Sequence, residues 1–173
     1  MFSILQPGLI YYQLVVNNPS PLIPAMTSNT TPNGIVSAGG NWRWQWPTIE
    51  AYNASSAFLP FDGSDSTGLQ GLNDNLYLIY QFPSSKLVTG LQLLSYENGD
   101  ITVSLQGSTD GIIYHDIGDS PYIISDPVMN GTIRPHNYTF YNTTPYLYYK
   151  ITFATPDFTV RVTRIQLYGM EIF

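Results

Sequence analysis

The sequence contains no cysteine, which excludes disulfides, thiolate metal sites and a cysteine nucleophile, and leaves the hydrophobic core to supply the stability. Charge is also scarce, at 10% of the residues, and the six Lys and Arg are scattered through a chain of net charge -6. That excludes the dense positive footprint that nucleic acid requires, and the polybasic cluster that anionic membranes attract. No apolar run reaches the length of a transmembrane helix, so membrane insertion is not expected. No window carries helical periodicity with caps, and no repeat of 20 to 50 residues points to a solenoid or propeller. Gly-x-Ser-x-Gly, phosphate-loop, His-Glu-x-x-His and dinucleotide patterns are all missing. His115 and His136 sit in no metal or nucleophile motif, and Asp116 and Asp119 have no cleft context, so the chain is read as a non-enzyme.

What is present is strand and turn chemistry. Aromatic residues reach 14%, with 14 tyrosines among many Asn, Ser and Thr, and 14 glycines and 13 prolines punctuate the chain. Apolar residues alternate at Leu76, Leu78, Tyr80 and Phe82, at Ile101, Val103 and Leu105, and at Leu147, Tyr149, Ile151 and Phe153. A further run, Phe158 to Val162, slips phase at Thr163-Arg164 before Ile165 and Leu167, which predicts a bulge. Asn98-Gly99 and Asp110-Gly111 supply the positive φ of tight turns. Short strands at this spacing predict one all-β sandwich or barrel.

The amino-terminal residues divide differently. Residues 1–26 read as an arm and connector: the apolar strand-former stretch Leu9 to Val16 is followed by Pro19, Pro21 and Pro24, which stiffen the link to a body spanning 27–173. Met1 to Val16 has no leading Lys or Arg and no small-residue cleavage site, so it does not read as a secretory signal. The Asn-x-Ser/Thr sequons at Asn29, Asn53, Asn130, Asn137 and Asn142 accordingly carry little weight. Two fates of the arm stay open: an added edge strand on its own body, or strand addition to a neighbouring subunit in a homo-oligomer or larger particle.

All three tryptophans fall in Asn41-Trp42-Arg43-Trp44-Gln45-Trp46-Pro47. In an extended segment they would share one face. They either plug the core beneath a loop or form a partly exposed stacking platform at one end of the sandwich. On a platform, sugar C–H faces would lie on the rings and Arg43 or Gln45 would bond hydroxyls.

From Ile35 to Gly169 the order of features resembles the discoidin, or coagulation factor 5/8 type C, family of galactose-binding-like jelly rolls. The residues that carry it are Ile35-Val36-Ser37-Ala38, Ala57-Phe58-Leu59-Pro60-Phe61-Asp62-Gly63, Lys86 to Leu93, Leu105 to Gly111, Tyr148 to Ile151 and Ile165 to Gly169. The family's tryptophan after the Asp-Gly turn is replaced here by Ser64 to Leu72. The resemblance implies a discoidin-like sandwich that binds glycans, lipid head groups or proteins through loops at one end. The tryptophan segment lies where relatives carry such loops. Galactose-binding relatives use Arg, His and Asn near an aromatic, which nominates Arg134, His136 and Asn137.

Asp62, Asp65 and Thr67 put two carboxylates and a hydroxyl around glycines, the nucleus of a structural calcium site. Relatives add a Glu on the closing strand, where this chain has Arg164. The alternatives are a calcium ion, or an Arg164 guanidinium that replaces it and pairs with Asp62. The function expected from all this is binding of a glycan or other neutral surface ligand by a virus or phage surface protein used for host attachment. An extracellular or cell-surface protein is the other setting, and a decoration or connector subunit of a viral particle the other role.

Overall fold

A computed structural model describes residues 21–48, 50–72, 75–97, 101–124, 134–154 and 159–170. The amino-terminal arm and the Asn98-Gly99 turn lie outside the described residues. The described chain forms an antiparallel sandwich. Its first sheet runs β3 (Glu50–Ala51), β2 (Trp42–Trp46), β4 (Gly68–Leu72), β11 (Thr159–Met170), the second half of β5 (Leu76–Glu97) and β9 (Arg134–Thr139). The second sheet runs β1 (Ile35–Gly39), the first half of β5, β10 (Tyr146–Ala154) and β6 (Ile101–Ser108), whose far edge carries β7 (His115–Asp116) and β8 (Tyr122–Ile124).

The alternation predicts which side of each strand meets the core, and the burial follows it. Leu76, Leu78, Tyr80 and Phe82 from β5, and Val103, Leu105, Ile151 and Phe153 from the second sheet, are at most 2% exposed. They face Leu69, Leu91, Leu93, Val160, Val162, Ile165 and Leu167 of the first sheet, also at most 1% exposed. This is the packing expected where two half-apolar sheets bury their inner faces. The phase slip at Thr163 is a bulge: Val162 stands opposite Ser95, but Arg164 opposite Leu94.

Pro83-Ser84-Ser85, which ends the alternating run, does not end the strand. β5 continues through it and passes from one sheet to the other. The three residues are exposed at the corner, between the pairs Gln81–Tyr148 and Lys86–Tyr146. A proline that needs no ladder partner is tolerated there. Within the stretch read as a connector, Leu22 donates its N–H to the Leu167 carbonyl at 2.8 Å, and Ile23 and Met26 are each 1% exposed in the core.

Rings form a chain through the interior, Phe61 to Tyr80 at 5.6 Å, Tyr80 to Phe82 at 4.7 Å and Phe82 to Tyr149 at 5.7 Å between centroids. The two buried phenols are satisfied locally, Tyr80 by the Asn33 carbonyl and Tyr149 by the Lys86 carbonyl, both at 2.5 Å. Burial pushes both up to about 12 from an ordinary value of 10.0. In the unfolded chain these phenols ionise first, so the stability they contribute is complete below pH 10 and is lost as pH rises from 10 through about 12. Thermal melts across that range should show a steep fall in stability. The fall should shrink in Tyr80→Phe and Tyr149→Phe proteins.

Candidate functional site

The local structure of β2 decides what the three tryptophans do. Trp42 stands opposite Gly71 of β4, but Trp44 stands opposite Gln70, so two steps on β2 match one step on β4. This bulge gives Arg43 the extra position. A one-residue slip reverses the facing of everything beyond it. Trp42 therefore points inward, on the side of Gly71 and Leu69, whereas Trp44 and Trp46 point outward with Gln70. The expectation that all three share a face is corrected by this slip.

Trp42 is a core residue. It is 5% exposed, donates its Nε1–H to the Tyr77 carbonyl at 3.2 Å and meets Phe153 edge-on at 6.0 Å. Trp44 and Trp46 are half-buried. They lie on the outer surface of the first sheet, near its β3 edge, rather than in a loop at the end of the sandwich. Gln45 does not reach a ligand position, because its Nε2 donates to the Ala51 carbonyl at 3.0 Å and ties down β3.

Two guanidinium groups flank the half-buried indoles. Arg161 of β11 stands opposite Gln70, and its Cζ lies 3.5 Å from the Trp46 ring centroid. The exposed Arg43 has its Cζ 5.9 Å from the Trp44 centroid. Stacked guanidinium groups hold ring orientation by cation–π attraction, and the exposed Arg43 presents edge N–H donors to the surface. Gly68, opposite Trp46, matters to this geometry. A Cβ there would strike the Val162 carbonyl, so only glycine lets β4 lie this close to β11.

Arg161 and Gln70 were not among the residues singled out from the sequence. Their signal was present in the alternation Val160-Arg161-Val162 and Leu69-Gln70, which places both on an outer face. The strand pairing that sets them beside Trp44 was not visible.

The Arg134, His136 and Asn137 group does not converge on the tryptophans. These residues lie on β9, in register with Ser95, Leu93 and Gln92 of β5. Strand alternation separates His136 from Asn137. The half-buried His136 stands over the inward-facing Leu93, and the exposed Asn137 lies on the outer face, accepting from Gln92 Nε2 at 2.7 Å.

Around Asp62 the donor set does not fit a calcium ion. Both carboxylate oxygens are engaged, Oδ1 by the Ser64 N–H at 2.7 Å and Oδ2 by the Thr67 hydroxyl. Burial raises the Asp62 carboxyl, and the bonds from Thr67 and Ser64 draw it partly back. Asp65 turns instead to Arg164, whose NH1 lies 2.7 Å from Asp65 Oδ1. The guanidinium thus pairs with Asp65, a correction to the pairing with Asp62 expected above. Among the described residues no group of three or more His, Asp and Glu is placed to hold a metal. Asp62→Ala should cost about 1–3 kcal/mol by leaving two turn donors unpaired, whereas Asp65→Ala should cost under about 1 kcal/mol as an exposed pair. Urea titrations check the ranking, and a chelator should leave both curves in place.

Comparison of the sequence with protein-family profiles and with curated proteins gives no match. Solved structures do match the fold. A Clostridium perfringens module, CpGH89CBM32-5 in complex with GalNAc-β-1,3-galactose, superposes with a TM-score of 0.57 at 13% identity, over 83% of this chain and 100% of that one. A pectin binding carbohydrate binding module gives 0.57 at 13% identity, over 80% and 91%. The family 32 module of C. perfringens NanJ in complex with galactose gives 0.54 at 12% identity, over 79% and 93%. The chain therefore has the all-β, discoidin-type sandwich that these carbohydrate-binding modules share, as its sequence motifs implied. The likeness concerns the fold and is silent on a virus particle.

Proposed function

We propose that the chain is a non-catalytic glycan-binding module that lays sugar rings on Trp44 and Trp46. One observation carries this reading: two half-buried indoles stand side by side on an outer sheet face, each beside a guanidinium group. Pyranose C–H faces are apolar and flat, so indoles cover them, and the hydroxyls around each ring match the edge donors of Arg43 and the amide of Gln70, with Arg161 holding the Trp46 ring in place. Stacking contributes about 1 kcal/mol per ring beyond area burial. With a few hydrogen bonds, each worth about 1 kcal/mol net, the expected affinity lies roughly in the millimolar-to-micromolar range. Similar structures were caught with galactose and with GalNAc-β-1,3-galactose, which supports the ligand class.

A glycan array probed with the tagged protein, carrying galactose- and GalNAc-terminated glycans together with uronate polymers, tests this directly. Retention of at least one sugar class is expected. An array that stays blank at high protein concentration removes the reading.

The finer setting is exposure on the outside of a cell or a virus particle. It is supported by the cysteine-free, Tyr- and Asn-rich composition. Attachment of a particle to its host, with the arm at Met1 to Val16 docked on neighbouring subunits, is the form of it that the sequence favours. Immunogold labelling of purified particles from a producing host tests that setting, and particles without label refute it.

A further inference from the structure

Resting on the glycan-binding reading, we propose that the ligand is an internal stretch of a linear, hydroxyl-rich polysaccharide laid across the outer face of the first sheet. In this arrangement Gln92, Asn137, Gln166 and Tyr168 form a second subsite beyond the tryptophans. The register places them there. Gln166 of β11 stands opposite Gln92 of β5, Gln92 stands opposite Asn137 of β9, and all three share the outward side with Arg161, Gln70 and Trp44. Tyr168, two residues beyond Gln166, lies on the same side and brings its hydroxyl 3.4 Å from Gln92 Oε1. From β2 to β9 is four inter-strand steps, about 19 Å across the strands at the usual spacing, and Gln166 lies five residues beyond Arg161 along β11, so the path between the two halves runs diagonally over the face. That span suits a short oligosaccharide and exceeds a single sugar.

Gln166 supplies an independent observation. It is 9% exposed, and its Oε1, itself buried, has no hydrogen-bond partner among the described residues. A buried acceptor left unmade is costly, and such departures from local consistency concentrate at functional sites. A ligand hydroxyl that displaces the neighbouring side chains would satisfy it. Gln92 and Asn137 are already bonded to each other at 2.7 Å, which fixes both amides and leaves Asn137 exposed with its Nδ2 donors. Fixed amides pair with hydroxyls as both donor and acceptor. The chemistry of this half is uncharged, so it selects hydroxyl pattern over phosphate or sulfate.

Calorimetric titration with β-1,4-linked galactose and α-1,4-linked galacturonate, each as monomer, dimer and tetramer, provides the test. The tetramer of at least one series should bind ten times or more tightly than its monomer. Asn137→Ala and Gln92→Ala should reduce the tetramer to the monomer's affinity and leave the monomer unchanged. Gln166→Leu should do the same with no loss of melting temperature, an outcome that a purely structural role for this amide would not give. Equal affinity for monomer and tetramer, or a tetramer advantage that survives all three substitutions, overturns the extended site and leaves the Trp44–Trp46 reading standing. Absence of binding by every member of both series overturns the extended site, and a blank array as well overturns the glycan-binding reading with it.

Discussion

Replacing Trp46 with Ala should weaken glycan binding about tenfold or more, and removing Trp44 as well should abolish it in any assay that reads millimolar affinities. A stacked ring supplies about 1 kcal/mol beyond its area, and each 1.4 kcal/mol is a factor of ten. Trp46 carries a second effect, because the Arg161 guanidinium rests on its face at 3.5 Å and loses its seat with the ring. The stability cost should stay near 1 kcal/mol, since the indole is half-buried on an outer surface and the cation–π contact is worth about that much. Titration of the variants against the sugar retained on the array, paired with urea unfolding, separates the two effects.

Trp42→Ala should behave in the opposite way. Its indole is 5% exposed, fills the interior against Phe153 and bonds the Tyr77 carbonyl. Truncation leaves a cavity and an unpaired carbonyl, for a cost of about 3–5 kcal/mol. In a domain of ordinary stability that is a large fraction of the total. The variant should unfold at markedly lower urea, and binding at the outer face should persist in whatever fraction remains folded. Two residues in sequence thus separate a core tryptophan from a surface one.

The division between these tryptophans explains how far the sequence could be read. Alternation alone placed the strands at Leu76 to Phe82, Ile101 to Leu105 and Leu147 to Phe153 and found the bulge at Thr163-Arg164, because burial on one face writes itself as a period of two. The bulge between Trp42 and Trp44 leaves no such trace. Its cause is the pairing of β2 with β4, and β4 occupies Gly68–Leu72, a stretch that reads as loop because two of its five residues are glycine. For the same reason the alternation puts Arg161 on an outer face without showing that it and Gln166, set far from the tryptophans in sequence, share that face with Trp44. Their place follows only from strands that meet across the sheet.

Pro83-Ser84-Ser85 illustrates the opposite limit. Its residues are those of a turn, and the chain does change direction there, yet the strand carries on into the other sheet. Local chemistry specified the bend, and long-range pairing with β10 on one side and β11 on the other specified that it joins two ladders. At Asp62 the residue types suggested an ion. The side-chain geometry turned them to Ser64, Thr67 and Arg164 instead, a competition between internal donors and a metal that spacing alone does not decide.

The three indole Nε1–H groups offer the most direct measurement of the central claim, because the chain holds only three tryptophans and each gives its own proton–nitrogen signal. Titrating the nitrogen-15-labelled protein with the sugar retained on the array should move the Trp44 and Trp46 signals progressively and leave the Trp42 signal in place. Saturation of shifts confined to other residues, with Trp44 and Trp46 unmoved, would place the ligand elsewhere and contradict the account.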